Sequence, residues 1–311
     1  MIATVTLNPS LDEWVRLGTF RIGALNRAKT FGRSPGGKGI NVSRVLHELG
    51  ARTIALALAG GEDGKILSHL LKRQAIPHQF VTVPGSTRNN YQMQSDSPKT
   101  LTQINCPGPR VSATSLRRIE QELSCSRPRP ACVVFSGALP PGAVPSIYQR
   151  MIQRAGRLEI LTVLDTSGPA LRQGLAARPW LIKPNRHEAE ELLGVRLRRL
   201  THVANAARRL TTQGPSLVIV SLGPDGAVLA TKQGDEALWA QPPTVPVDSP
   251  VGAGDSLVAG FVLGWLRTRS LAEALRLGVA CGAACAITPG TELCHREDVM
   301  RLKPRVRLQV L

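Results

Sequence analysis

The sequence predicts an α/β protein in which helices cover both faces of a mostly parallel central sheet, giving a three-layer sandwich. Short β-branched or apolar runs alternate with amphipathic helical patterns along most of the 311 residues, and this alternation is typical of parallel strands joined by helices. Apolar residues make up 42% of the chain and charged residues 20%, so a sizeable core is expected and disorder is not. Two segments of short polar and apolar alternation predict a small second sheet.

The predicted elements account for most of the chain. In order they are strand 2–7, helix 39–49, strand 53–59, helix 64–74, helix 114–123, strand 131–136, helix 145–155, strand 159–164, strand 179–182, helix 186–193, helix 202–213 and strand 216–221. An apparent hairpin follows at 226–231 and 236–241. Two long apolar helices come last, near 254–267 and 271–287.

Residues at about 12–31 and 78–105 break this rhythm. They contain alternations such as HQFVTV and NNYQMQS, bounded by Gly, Pro and Asp. Such a pattern suits an antiparallel sheet with one face in water. We therefore expect a single domain over 1–311, with a β-sheet lid built from these two insertions.

The apolar runs and the N-terminus predict a cytoplasmic protein without a membrane span. The longest apolar runs, 257–266 and 278–287, are shorter than the roughly 20 residues that a span needs. The N-terminal MIATVTL has the pattern of a strand and lacks the features of a signal peptide. No C-x-x-C pair occurs among the six cysteines, so buried thiols are expected before metal ligands; they stand at 106, 125, 132, 281, 285 and 294.

The formal net charge of +17 raises nucleic acid or an anionic substrate as a partner. The basic residues are spread from Arg16 to Arg307 without a block of five, and aromatic residues make up only 4% of the chain. Proteins that bind single strands need aromatic side chains on which bases stack. We therefore expect a solvated arginine-rich surface and no nucleic-acid partner.

The segment GRSPGGKG at 32–39 has the spacing of a phosphate-binding loop, but its last position is Gly39. The hydroxyl that would bind magnesium in such a loop is absent, so that motif is rejected. Glycines at 36, 37 and 39 directly precede a helical pattern, and they would let the backbone approach a ligand closely. A plain turn before the helix is the alternative.

The segment SPVGAGDSLVAGF at 249–261 places Asp255 directly behind three small residues, Gly252, Ala253 and Gly254. Small residues at the start of a helix leave backbone N–H groups uncovered, and these can bind negative charge that develops during group transfer. An acid in the first turn can then accept a proton. It can equally serve only to complement the helix dipole, and the spacing alone leaves both interpretations open.

Further glycine and polar residues follow other predicted strands. Lys183 ends a buried strand, and Asn185 stands three residues before Glu188, which is the spacing of a capping box. Ligands of open α/β sheets bind at the carboxyl ends of the strands. A shared crevice for a phosphate-bearing ligand is therefore expected. The other residues at such strand ends are Ser136, Ser221, Gly223 and Gly226.

Seven motifs in order resemble the ribokinase-like, PfkB-type carbohydrate kinases. They are TLNPSLD (6–12), GGKGINVSRVL (36–46), TRNN (87–90), SGALPPG (136–142), KPNRHEAEEL (183–192), SLGPDGA (221–227) and SPVGAGDSLVAGF (249–261). The resemblance spans nearly the whole chain. It points to the phosphofructokinase and tagatose-6-phosphate kinase branch, and within it most to the PfkB-type 6-phosphofructokinases.

The resemblance implies transfer of a phosphoryl group from ATP, with Mg²⁺, to a hydroxyl of a sugar phosphate. Asp255 would be the general base, and the backbone at Gly252, Ala253 and Gly254 would form the anion hole. Glu188 would help to place Mg²⁺ through water. The implied substrate residues are Asp12, Gly37, Lys38, Gly39, Asn41, Arg88 and Ser136. The implied nucleotide residues are Lys183, Asn185, Ser221, Gly223 and Gly226. A homodimer formed through the lid is also implied.

The motifs conflict over the sugar phosphate. TPGTELCHREDV at 288–299 resembles 6-phosphofructokinases, whereas GGKGINV with Lys38 resembles 1-phosphofructokinases. Gln103 stands where a second phosphate-binding arginine is expected in a 6-phosphofructokinase. We expect fructose 6-phosphate to be converted into fructose 1,6-bisphosphate, with fructose 1-phosphate and tagatose 6-phosphate as alternatives. A sugar-phosphate sensor without catalysis and a nucleic-acid-binding protein are more remote alternatives.

Overall fold

A computed structural model describes residues 1–311 and contains two sheets. The strands are β1 (Ile2–Thr6), β2 (Ser10–Leu17), β3 (Ala28–Gly36), β4 (Thr53–Ala59), β5 (His78–Thr82), β6 (Arg88–Asp96), β7 (Lys99–Asn105), β8 (Cys132–Ser136), β9 (Leu161–Asp165), β10 (Leu181–Ile182), β11 (Leu217–Ser221), β12 (Ala227–Thr231), β13 (Ala237–Gln241) and β14 (Arg307–Val310). The helices are α1 (Lys38–Glu48), α2 (Gly61–Arg73), α3 (Ala113–Cys125), α4 (Ile147–Gly156), α5 (Gly168–Leu175), α6 (Arg186–Leu193), α7 (Leu200–Thr211), α8 (Ala253–Thr268), α9 (Leu271–Ala286) and α10 (Arg296–Leu302).

The large sheet has ten strands in the order β14-β13-β12-β11-β10-β9-β8-β1-β4-β5. The seven strands from β11 to β5 are parallel, and β12, β13 and β14 pair antiparallel at one edge. Alternate side chains of each strand enter different cores: in β8, Val133 and Phe135 pack with α3, α4, α5 and α7, whereas Cys132 and Val134 pack with α1, α8 and α9. The predicted three-layer fold with a mostly parallel sheet is confirmed.

The second sheet, which we call the lid, has four strands in the order β3-β2-β6-β7. It is mostly antiparallel, with a parallel pairing between β2 and β6. The sequence assigned residues 78–83 to this sheet, and that assignment was wrong. Strand β5 pairs with β4 at the edge of the large sheet. Its alternation of buried Val81 and Val83 with exposed Thr82 is the alternation also expected of a lid strand, and this pattern does not identify which sheet the strand joins.

Helices α8 and α9 pack unusually closely, and this contact fixes the start of α8. A Cβ atom added to Gly260 would lie 2.6 Å from the Sγ atom of Cys281, and one on Gly278 would lie 2.8 Å from the carbonyl oxygen of Leu257. Only glycine allows backbones to approach so closely. The N-terminus of α8, which carries Asp255, is therefore held by a rigid helix pair.

Three elements were not predicted from the sequence: α5, α10 and β14. Each is short, and short elements carry too few residues for a clear period. None of the ten helices combines the length and the apolarity that crossing a bilayer requires.

Candidate active site

The site lies where the carboxyl ends of the parallel strands, the N-terminus of α8 and the inner face of the lid meet. The amide Nδ2 of Asn41 in α1 donates to Oδ2 of Asp255 at 2.9 Å. Arg44, one turn further along α1, donates to the carbonyl oxygen of Pro35 at 3.1 Å and to Oδ1 of Asn41 at 3.4 Å. Helix α1 thus connects the carboxylate of α8 to the end of lid strand β3.

The N-terminus of α8 presents free backbone donors beside Asp255. Gly252 precedes the helix with φ of 81°, and a Cβ atom there would lie 2.4 Å from the side chain of Leu293, so both conformation and space require glycine. The N–H of Ala253 points to the carbonyl oxygen of Pro250 at 3.3 Å, whereas the N–H groups of Gly252 and Gly254 donate to no backbone or side-chain acceptor. These two donors are available to an anion.

Asp255 is a buried carboxylate, only 6% exposed. Burial raises the pKa of Asp255 to about 6, the nearby ammonium of Lys38 opposes this rise, and the charge of Asp165 adds to it. A general base is most effective when its pKa lies close to the working pH. Asp255 is therefore ionised at neutral pH and is a stronger base than an exposed aspartate.

A second buried carboxylate, Asp165 at the end of β9, contacts two lysines. Its Oδ1 atom lies 3.2 Å from Nζ of Lys38 and 3.4 Å from Nζ of Lys183. Although burial alone would raise the pKa of Asp165, the two ammonium groups hold that pKa below its usual value. Lys183 also adjoins the start of α8, because a Cβ atom on Gly254 would lie 3.4 Å from its Nζ atom. Two positive charges thus lie near the free donors of α8.

The inner face of the lid presents a second polar group around Asp12 in β2. The Oδ1 atom of Asp12 accepts hydrogen bonds from Oγ of Ser10 at 2.8 Å and from Nδ2 of Asn90 at 3.0 Å. Burial raises the pKa of Asp12, and these two donors oppose the rise. A Cβ atom on Gly36 would lie 2.4 Å from Cγ of Asp12. The glycine therefore leaves room for the carboxylate.

Arg88 begins β6 and is directed to the same pocket. Its guanidinium donates to the carbonyl oxygens of Asn8 at 3.1 Å and Cys106 at 3.2 Å, and to Oδ1 of Asn90 at 3.3 Å. Its Nε atom is buried and has no hydrogen-bond partner. Buried donors are rarely left unpaired. The Nε–H of Arg88 is thus available for a ligand acceptor.

The glycines of GGKG do more than form a turn. Gly37 precedes α1 with φ of 104°, and a Cβ atom on Gly39 would lie 2.4 Å from Oγ1 of Thr6 at the end of β1. Helix α1 can begin directly against the central sheet only because these side chains are missing.

The residues to which the resemblance assigns the nucleotide are placed by α6 and β11. Asn185 and Glu188 form a complete capping box: Oδ1 of Asn185 accepts from the N–H of Glu188 at 2.9 Å, and Oε2 of Glu188 accepts from the N–H of Asn185 at 2.8 Å. Asn185 also forms a bridge with Ser221 at the end of β11. Gly223, with φ of 60°, begins the short 3₁₀ turn that follows.

Two residues assigned to the site from the sequence are closely packed in the structure. The side chain of Ser136 is fully buried, and its Oγ atom is directed at the carbonyl oxygen of Asp165 at 3.4 Å. Gly226 faces β13, where a Cβ atom would lie 1.9 Å from the carbonyl oxygen of Ala240. Close backbone approach thus requires glycine at position 226, and the ligand roles of Ser136 and Gly226 stay predictions.

The sequence missed three residues of the site, namely Asp165, Asn90 and Arg44. Asp165 follows a predicted strand and could have been found by the rule that identified Lys183. Asn90 and Arg44 carry no sequence signal of their own, because each contacts a residue of another element. Asn90 donates to Asp12 in β2, and Arg44 donates to the carbonyl oxygen of Pro35 in β3. Burial lowers the pKa of Arg44 to about 10, so Arg44 is still charged at neutral pH.

A three-layer sandwich with a β-lid, and a buried aspartate at a glycine-rich helix N-terminus between them, define the class of ribokinase-like sugar kinases. The family model described as pfkB family carbohydrate kinase matches residues 6–298. The chain belongs to this family, whose phosphofructokinases are ATP-dependent phosphotransferases. The predicted resemblance is confirmed.

Relatives and solved structures agree on the family and differ over the substrate. A 1-phosphofructokinase of Bacillus subtilis is 35% identical over 308 residues, which cover 99% of each chain. An ATP-dependent 6-phosphofructokinase isozyme 2 of Mycobacterium tuberculosis is 36% identical over 301 residues, covering 96% of this chain and 88% of that protein. The crystal structure of phosphofructokinase-2 from Escherichia coli in complex with substrates and products has a TM-score of 0.92 at 32% identity and covers 98% of both chains.

Proposed function

We propose that this enzyme phosphorylates fructose 6-phosphate with ATP to give fructose 1,6-bisphosphate. The observation that carries the transfer step is a buried base, Asp255, whose helix presents two unpaired N–H donors, Gly252 and Gly254. Such a site supplies the positioning and charge neutralisation that phosphoryl transfer needs. Neither a passive sugar-phosphate sensor nor a nucleic-acid-binding protein needs a buried base beside an anion hole, so both remote alternatives are disfavoured.

Each residue has a role in the proposed reaction. Asp255 accepts the proton of the sugar hydroxyl as the hydroxyl oxygen attacks the γ-phosphorus of ATP, and the bond from that phosphorus to the bridging oxygen breaks to release ADP. The N–H groups of Gly252 and Gly254 and the ammonium of Lys183 stabilise the negative charge on the oxygens of the group in transit. Asp12, held by Ser10 and Asn90, accepts hydrogen bonds from other sugar hydroxyls. Asn185, Ser221 and Gly223 are proposed to line the part of the site that binds the nucleotide. The roles that the resemblance implies for the other predicted residues stay proposals.

Arg88 is the proposed clamp for the phosphate that the substrate already carries. Its unpaired Nε–H and its fork of donors suit a phosphate, which guanidinium groups bind through paired hydrogen bonds. The Asn8 and Cys106 carbonyl oxygens hold this fork in place. Arg88 would thus bind the phosphate of the substrate while its free hydroxymethyl group is presented to Asp255.

The position of the two conflicting motifs favours the 6-phosphate. The segment that resembles 6-phosphofructokinases lies against the lid: Oγ1 of Thr291 is 2.6 Å from Oγ of Ser34, and Gly290 adjoins the ring of Trp14. The motif GGKGINV, which resembles 1-phosphofructokinases, carries Lys38. The ammonium of Lys38 contacts Asp165 and not the lid. Fructose 1-phosphate is the second candidate, favoured by the neutral Gln103 on β7, where a second phosphate-binding arginine is expected in a 6-phosphofructokinase.

Release of ADP with fructose 6-phosphate, fructose 1-phosphate and tagatose 6-phosphate, each at saturating ATP, tests the substrate. We expect kcat/KM for fructose 6-phosphate to exceed that for fructose 1-phosphate at least about tenfold, because a misplaced phosphate loses charge-assisted hydrogen bonds. The Asp255→Asn variant, purified in the same way, is the control for contaminating kinases. Higher kcat/KM for either other sugar reassigns the substrate.

The residues present fit Mg²⁺, which would accompany ATP and neutralise the phosphates being handled. One carboxylate oxygen of Glu188, Oε2, is engaged by the cap, while Oε1 accepts no hydrogen bond from the protein. Mg²⁺ keeps several waters and takes few protein carboxylates in nucleotide sites. Glu188 would therefore hold a water of the ion rather than the ion itself.

We infer that two copies pair through the outer face of the lid, as the resemblance implies. Phe31 is 81% exposed, and Tyr91 and Ile104, which are cross-strand partners on the same face, are 44% and 48% exposed. Exposed apolar patches of this kind mark interaction sites.

The proposed reaction carries two further expectations. We expect a cytoplasmic location, since ATP and sugar phosphates are metabolites of the cytoplasm, and we expect no nucleic-acid partner.

Sedimentation velocity tests the dimer. Phe31→Asp places a charge in the proposed interface and is expected to convert a dimer of the wild-type chain into a monomer, because an unpaired charge is costly to bury. Met300→Asp is the matched control, since Met300 is 44% exposed on α10, away from the lid. A wild-type monomer, or a Phe31→Asp dimer, would contradict the proposed interface.

A further inference from the structure

Asp165 is the most deeply buried charged group of the site, at 1% exposed, and the roles above do not use it. One oxygen, Oδ1, faces both Lys38 and Lys183, at 3.2 Å and 3.4 Å. The other oxygen, Oδ2, is buried without a hydrogen-bond partner. A buried carboxylate with one oxygen unpaired is expensive to maintain. Its presence beside the anion hole therefore calls for a functional explanation.

The four charges of this cluster balance. Lys38 and Lys183 carry two positive charges, and Asp165 and Asp255 carry two negative charges. Lys38 begins α1 and is 40% exposed, whereas Lys183 follows β10 and is only 5% exposed, so the two lysines come to Asp165 from different elements. Asp165 raises the pKa of Lys38, and the charge of Asp255 adds to this effect. Both lysines thus lie within electrostatic reach of Asp165 and Asp255, and Glu188 also acts on Lys38.

We propose that Asp165 is a positioning residue, which holds Lys38 and Lys183 beside the anion hole and prevents them from pairing with Asp255. The proposal rests on the proposed phosphoryl transfer at Asp255. Held in this way, both ammonium groups face the oxygens of the group in transit. The base stays free to accept a proton.

The surroundings of both carboxylates support this division of roles. Asp255 faces Lys38 and Asn41 from α1, Lys183 after β10, Asp165 after β9 and Cys285 from α9. Asp165 also faces Tyr148 from α4, and burial, with Asp165 as the second cause, raises the pKa of that phenol. Lys38 and Lys183 are the only cations among these groups. Glu188 also acts on Lys38, but less strongly than Asp255 does, so without Asp165 the carboxylate that acts most strongly on Lys38 is Asp255.

Asp165→Asn tests the proposal, because it keeps the shape and removes the charge. We expect kcat to fall roughly tenfold to a hundredfold, since one hydrogen-bonded charge interaction is lost on each lysine. The KM for the sugar phosphate stays within about threefold, because Asp12, Asn90 and Arg88 are untouched. The acid limb of the pH–rate profile moves to lower pH. That shift follows because Asp255 loses a negative neighbour and gains lysine partners.

Lys38→Met is expected to shift the same limb in the opposite direction, because Asp255 then loses a positive neighbour. Asp165→Glu keeps the charge and returns the limb toward the wild-type position. A purely structural role of Asp165 would lower stability in the Asn variant without these opposed shifts. Asp96→Asn is the matched control, since Asp96 also bridges two cations, Arg16 and Lys29, at the far end of β6. It leaves the acid limb unchanged.

The ionisation of Asp255 can also be followed without any substrate, by NMR titration of chain labelled with ¹³C at the aspartate carboxyl carbons. Its signal is assigned by its loss in Asp255→Asn. A midpoint lowered by Asp165→Asn and raised by Lys38→Met supports the proposal, even if none of the three sugars is phosphorylated and the proposed function fails. An unchanged midpoint in Asp165→Asn, or wild-type kcat and pH profile in that variant, overturns it.

Discussion

Replacing Asp255 by Asn is expected to lower kcat at least about a hundredfold, the low end of what a general base contributes. The variant keeps the hydrogen bond with Asn41 geometrically possible, but its amide cannot accept the proton of the sugar hydroxyl. In the wild-type enzyme the rate should fall as the pH is lowered through about 6, where Asp255 takes up its proton. Steady-state ADP release across pH measures both effects.

The same substitution is expected to stabilise the protein. Burial raises the pKa of Asp255 to about 6 from its ordinary value of 3.8, so the folded chain binds this proton more tightly than the unfolded chain does. The contribution of Asp255 to stability therefore decreases as the pH rises from 3.8 through 6. The neutral Asn removes this loss, and the thermal midpoint at pH about 8 should rise by a few degrees.

Asp298→Asn is the control for the alternative that Asp255 only complements a helix dipole. Asp298 also lies in the first turn of a helix, α10, and pairs with Arg301. It is expected to show near-wild-type kcat. Equal kcat for the Asp255 and Asp298 variants would reject Asp255 as the base, and the dipole interpretation would stand.

Replacing Arg88 by Ala is expected to raise the KM for the sugar phosphate roughly a hundredfold, while kcat changes much less. Hydrogen bonds to charged groups contribute about 1.5 to 3 kcal/mol each, and the unpaired Nε–H and one further donor of Arg88 would be lost. Binding of the phosphate that does not react is lost equally from the ground state and the transition state. Steady-state kinetics with varied sugar phosphate measures this split.

Two further variants sharpen the result. Arg88→Lys should recover only part of the affinity, because a single ammonium lacks the planar fork of a guanidinium. Arg33→Ala is the control on the other face of the lid, where Arg33 pairs with Glu13 at 2.6 Å. It should leave KM unchanged. If Arg88→Ala lowers only kcat, Arg88 is not the phosphate clamp.

The periodic parts of the chain could be predicted well. The run at 53–59 and the apolar helix near 254–267 were found within a residue of β4 and α8, because burial on both faces leaves a strong apolar pattern. The lid was found less accurately, since β5 shows the same alternation as a lid strand and pairs with β4. Alternation reports that one face of a strand is covered, and the covering element is set by tertiary contacts.

The candidate site divides in the same way. Asp255, Asp12, Arg88 and Lys183 stand in motifs with a recognisable order, so the sequence could point to them. Asn90 supports Asp12 from 78 positions away, and Lys38 reaches Asp165 across 127 positions. Contacts over such separations leave no local pattern in a single sequence.

By itself, the sequence determined the fold class, the family and the position of Asp255 in the first turn of α8. Hydrophobic periodicity and glycines at strand ends are local properties, so a single sequence carries them. Only the tertiary structure decided that Asp255 is buried, that Gly252 and Gly254 keep free N–H donors, and that Asp165 stands between two lysines. The physical reason is that the pKa of a carboxylate depends on the burial and charges that distant segments bring to it.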